Sequence, residues 1–101
     1  MGCDIYLFRK DASSQSSDHG EIFWDVTSSD LGYELSCVGI DTDYREFCTD
    51  DLRTLTQELI DGDSEDFGEY TDGALKALLK NLDSLSNEQR NNSRWFLTLD
   101  Y

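Results

Sequence analysis

The sequence predicts an α+β domain: an antiparallel β-sheet of about four strands with two helices packed on one face, in the order β-β-β-α-α-β. Three observations predict it. Apolar residues alternate at the two ends of the chain and again in 21–27. Leucines recur at helical spacing in two segments between residues 50 and 83. Clusters of Ser, Asp and Gly separate these segments, and the chain has no proline.

The chain has 101 residues, the length of one domain. A chain of this size buries roughly 65% of the surface its unfolded form exposes, enough for a single core. The 38% hydrophobic content and the aromatics scattered from Tyr6 to Tyr101 argue for folding, because disordered acidic segments are poor in aromatics.

In chain order, residues 3–9 (CDIYLFR) alternate Ile5 and Leu7 against Tyr6 and Phe8. Both faces are apolar, as in a central strand covered on each side. Residues 11–20 (DASSQSSDHG) are a polar loop, in which His19 is read as a solvated side chain without a catalytic or metal partner. Residues 21–27 (EIFWDVT) form a second strand with Ile22, Trp24 and Val26 on one face and Phe23 on the other. After a turn at 28–32, residues 33–40 (YELSCVGI) read as a third strand, expected to pair antiparallel with the second.

Residues 50–60 predict a helix with Thr49 as N-cap, an apolar stripe of Leu52, Leu55, Leu59 and Ile60, and Gly62 ending it in the left-handed conformation. Residues 72–83 predict a second helix, capped by Thr71, with Leu75, Leu78, Leu79 and Leu82 on one face and Lys76 and Lys80 on another. Residues 84–93 have room for one more helical turn. Residues 94–101 (RWFLTLDY) alternate again and predict the last strand, with a helix over 88–99 as the alternative.

Charge is the feature with functional content. The formal net charge is −14, and residues 41–72 hold 12 acids against Arg45 and Arg53. The acids are densest in 61–69. Such a surface disfavours direct binding of nucleic acid or anionic membrane, both of which need Lys and Arg to neutralise phosphate. It suits cations or a protein with a basic face. No apolar run is long enough to span a membrane. The three cysteines, without a CxxC pair, fit reduced thiols and a cytoplasmic location.

Residues 61–72 resemble a calcium loop in their carboxylate spacing, with Asp61, Asp63, Glu65, Glu69 and Asp72 at the ligand positions. Asp66 stands where the sharp turn needs glycine, Gly68 where an apolar residue is needed, and the closing glutamate is the shorter Asp72. These departures argue against a metal site, and weak cation binding by a helix–loop–helix regulator is the alternative. There is no phosphate-binding glycine loop, nucleophile elbow or HExxH. Neither catalysis nor a cofactor is expected.

The opening MGCDIYLF resembles that of many small, mostly uncharacterised bacterial and phage proteins that begin Met-Gly, a variable residue, then Asp-Ile-Tyr-Leu and an aromatic. The resemblance covers residues 1–8, implies a bacterial or phage origin and brings no activity with it. In overall character, small and acidic without a catalytic motif, the chain is similar to toxin-neutralising immunity proteins. The expected function is therefore to bind and inhibit a basic protein partner, a bacterial toxin such as a nuclease. A nucleic-acid mimic that blocks a DNA- or RNA-binding protein is the alternative. The expected contact residues are Asp61, Asp63, Glu65, Asp66, Phe67, Glu69, Tyr70 and Asp72, where aromatic anchors lie among acids.

Overall fold

The structure is a computed structural model that describes residues 2–62 and 64–101, with the backbone alone at residues 64 and 65. Its elements are β1 (Asp4–Asp11), β2 (Glu21–Thr27), α1 (Ser29–Cys37), β3 (Arg45–Phe47), α2 (Thr49–Asp61), a 3-10 turn (Ser64–Phe67), α3 (Glu69–Asp83), α4 (Asn87–Asn91) and β4 (Ser93–Asp100). The strands form one four-stranded sheet in the order β2-β1-β4-β3, and every neighbouring pair is antiparallel. The α+β class and the antiparallel sheet are as the sequence predicts.

The core lies between one sheet face and the helices. Ile5, Leu7, Val26, Trp95, Leu97 and Leu99 meet Leu31 and Leu35 of α1, Leu52 of α2 and Leu75, Leu78 and Leu82 of α3. Leu55, Leu59 and Ile60 of the predicted α2 stripe pack at its margin. Trp24 fastens sheet to helix by donating its indole N–H to the Ala74 carbonyl of α3 at 3.0 Å. The last segment is a strand, and a capping box between Ser86 and Gln89 starts the short α4 before it.

Residues 33–40 depart from the expected strand. They belong mostly to α1, which begins where the turn was placed. The Ser28 hydroxyl accepts the Leu31 N–H at 3.2 Å as a true N-cap, and Asp30 sits in the first turn. Leu31 and Leu35, one turn apart, are buried. Between them, Gly32 lets the helix close on β1, for a Cβ there would meet Cys3 Sγ at 2.8 Å. Past the C-cap Val38, Gly39 closes the helix with φ +91°. There the Gly39 N–H bonds the Ser36 carbonyl and the Ile40 N–H bonds the Leu35 carbonyl, a paired closure with Ile40 buried beside the core. The third strand is instead the short β3, which pairs with β4 at the far edge and not with β2.

β2 has the predicted bounds, and Trp24 and Val26 face the core as predicted, but Ile22 and Phe23 exchange faces. The register slips between Leu7 and Phe8, so Leu7 opposes Trp24 and Phe8 opposes Ile22, and Phe23 is the extra residue of a bulge. Phe23 therefore turns inward and packs edge-on to Trp95, ring centroids 4.8 Å apart. Ile22 is left 53% exposed on the opposite face.

The predicted helix caps also shift. Thr49 is buried, and its hydroxyl accepts the Trp95 indole N–H at 2.8 Å while donating to the Arg90 carbonyl at 2.9 Å. The N-cap position of α2 falls to Cys48, which makes no side-chain capping bond. Thr71 is buried inside α3, whose N-cap is Gly68. Gly62 closes α2 with φ −88°, outside the left-handed region, its N–H on the Glu58 carbonyl.

Among the described residues no helix packs on the second sheet face, and two loops cover part of it. Lys10 is buried there with its ammonium donating to the Ser16 and Asp18 carbonyls of the polar loop. His19 is not a free loop side chain: it stacks on Tyr44, centroids 3.8 Å apart and planes within 4°, and meets Phe96 edge-on at 5.1 Å.

Candidate partner-binding surface

The predicted acidic stretch starts at the last turn of α2 and runs through the 3-10 turn into the first turn of α3. Helix starts and helix ends place its side chains, so each residue's fate follows from its position on a turn. Asp61 is exposed and accepts the Gln57 amide at 3.0 Å, one turn back. Asp66, Glu69 and Tyr70 are exposed, Tyr70 to 76%. Phe67 is half-buried and packs against the core, which makes it a hinge between surface and interior more than a free anchor. Asp72, in the first turn of α3, forms an ion pair with Lys76 at 2.9 Å. Asp63 and the side chain of Glu65 lie outside the described residues.

Folding adds residues that the sequence pattern did not associate with this stretch. α1 packs beside the 3-10 turn, and a cleft of about 340 Å³ opens between them. Its walls are Asp30, Tyr33 and Glu34 from α1 and Asp66 and Phe67 from the turn. Among the described residues three carboxylates and two aromatic rings line it, and no basic side chain does. Tyr33 is 69% exposed. The missed signal was the SSDL cap: once 29–37 is a helix, Asp30, Tyr33 and Glu34 fall three or four apart on one surface.

Lys76 pairs with Asp72 inside the stretch, and four arginines among the described residues are engaged outside it. Arg53 pairs with Asp83 and Arg94 makes a two-pronged pair with Glu46, both bonds 2.9 Å. These contacts hold the Asp83 and Glu46 carboxyls below the usual carboxylate range, chiefly through the arginine hydrogen bonds. Arg9 pairs with Asp11, and Arg45 donates to the Val38 carbonyl. Of the cleft's acids, Asp30 and Asp66 are exposed and Glu34 is half-buried.

Cys3 is buried and burial pushes its thiol pKa up, while Cys37 and Cys48 are exposed free thiols. Among the described residues no three His, Cys, Asp or Glu side chains converge as a metal site would require. Among the same residues no helix is long and apolar enough to cross a membrane. Compared with protein-family models, with curated proteins and with solved structures, the chain finds no match in any of the three.

Proposed function

We propose that this chain is a small acidic cytoplasmic protein that binds and inhibits a basic protein partner, as an immunity protein neutralises a bacterial toxin such as a nuclease. The observation that carries this reading is the α1/3-10 cleft, with Asp30, Glu34 and Asp66 around the rings of Tyr33 and Phe67. Carboxylates steer a basic surface in and set its register, while buried aromatic contact supplies the slow release that charge alone does not. Asp61, Glu69 and Tyr70 extend the same surface along the acidic stretch. In this reading the chain performs no catalytic step and needs no cofactor: occupying the partner's basic cleft is enough.

The test is affinity capture from a lysate of the source cell, or with the product of the adjacent reading frame, followed by graded salt elution. The reading expects one basic protein, part of whose binding survives salt. Replacing both Glu34 and Asp66 by Lys should weaken that capture by roughly 10- to 100-fold, mostly through the association rate. Recovery of nothing, or of many basic proteins washing off together, would reject an inhibitor and leave the stretch as solvated surface.

A further inference from the structure

The uncovered half of the second sheet face is chemically unlike the acidic cleft. Tyr6 and Phe8 of β1 form its floor, their rings 6.4 Å apart, and Phe8 meets Tyr44 edge-on at 5.5 Å. Together with Ile22, Thr98 and Asp100 these rings line a cleft of about 390 Å³. Ile22 and Tyr44 remain 53% and 43% exposed, so apolar and aromatic surface is presented to solvent here. The mouth is acidic. Asp25 sits across from Tyr6 in the β1–β2 register, and Asp4 pairs with Asp100 in the β1–β4 register, next in line. These carboxylates, Asp4 most of all, push the Tyr6 phenol pKa up. Among the described residues Lys10 and Arg94 stand at its other end, held by loop carbonyls and by Glu46, and the His19 ring covers one side of Tyr44.

We propose that this cleft accepts an arginine side chain from a basic partner protein, its guanidinium stacked on the Tyr6–Phe8–Tyr44 rings and paired with Asp100 at the mouth. Charge complementarity selects the occupant. A second copy of a chain carrying −14 would bring one acidic mouth against another, and phosphate groups of lipid or nucleic acid would be repelled. A guanidinium is planar and weakly hydrated, and it both stacks on aromatic faces and pairs with a carboxylate by two parallel bonds. An ammonium does neither as well. The inference goes beyond the proposed function, because it names a second surface on the opposite side of the sheet and the side chain that surface takes.

The test is a titration of the isotope-labelled full chain, followed by amide NMR, with blocked Gly-Arg-Gly and separately with blocked Gly-Lys-Gly at physiological salt. The expected result is saturable shifts at Tyr6, Phe8, Tyr44 and Asp100, with the arginine peptide bound about 3- to 5-fold more tightly than the lysine one. Asp100→Asn should weaken the arginine peptide by about 5-fold or more, since the paired carboxylate is then neutral. Tyr6→Leu, which keeps a bulky apolar side chain in the strand, should remove the preference for arginine. An unchanged amide spectrum away from the face identifies a folded variant. Equal response to both peptides, no response, or shifts confined to Asp30, Glu34 and Asp66 would overturn the proposal, and the last of these would leave the acidic-cleft reading standing.

Discussion

Thr49 shows how one hydroxyl joins three elements. It begins α2, accepts the Trp95 indole N–H of β4 and donates to the Arg90 carbonyl of α4. Trp95 is fully buried, so its N–H has no water to fall back on. Thr49→Val keeps the shape but leaves that donor unsatisfied, and the expected loss is about 1–3 kcal/mol of unfolding free energy. Urea unfolding followed by tryptophan fluorescence measures it. Thr49→Ser, which keeps the hydroxyl, should recover most of the loss, and a Val variant as stable as the parent would show that the bond does not matter. The sequence presented Thr49 as a helix cap because it stands just before two aspartates. A local pattern cannot register a tryptophan 46 residues away that claims the same oxygen.

At the scale of the element, β2 separates pattern from packing. Strict alternation puts Ile22 inside and Phe23 outside, and the bulge opposite Leu7 and Phe8 reverses both. The two substitutions that test this give opposite results under the two registers. Phe23→Ala should destabilise by about 2–4 kcal/mol, because it empties the space beside Trp95. Ile22→Thr should change stability by less than about 1 kcal/mol, because the side chain is already exposed. The reverse ranking in thermal or urea unfolding would remove the bulge. α1 makes a related point. Its two buried leucines, its serine cap and the Gly39–Ile40 closure are all visible in the sequence, but they straddle the boundary between a supposed turn and a supposed strand. A window starting at Tyr33 sees Tyr33, Leu35 and Cys37 alternate, and misses Leu31.

For the whole molecule, the balance of charge decides how stability responds to solution. The Glu46 and Asp83 carboxyls titrate lower in the folded chain than in the unfolded one. The sign follows: their contribution is present above the ordinary carboxylate pKa and disappears as pH falls through the folded values. As pH falls below the ordinary carboxylate range of about 4, the parent's thermal midpoint should therefore fall relative to that of a Glu46→Gln, Asp83→Asn double variant, while protonation of the other acids relieves repulsion in both. Both pairs are solvent-exposed, so the difference should be modest. At neutral pH repulsion among the acids dominates, and added sodium chloride should raise the midpoint by screening it. A midpoint that falls with salt would mean that the ion pairs outweigh the repulsion.

What the sequence by itself determined follows from short-range periodicity and from composition: the α+β class, the central β1, the bounds of β2, the leucine stripes of α2 and α3, the final strand, and an acidic stretch with several of its side chains in solvent. Each depends on residues close in the chain, or simply on counting charges. The tertiary structure alone decided the rest. It exchanged the faces of Ile22 and Phe23 through a bulge set by β1 and took Thr49 and Thr71 into the interior. It stacked His19 on Tyr44, and it brought Asp30, Tyr33 and Glu34 from α1 to Asp66 and Phe67. The physical reason is common to all of them: a hydrogen-bond donor, an aromatic face or a cleft wall is contributed by a segment distant in the chain, and no local pattern encodes which distant segment will arrive.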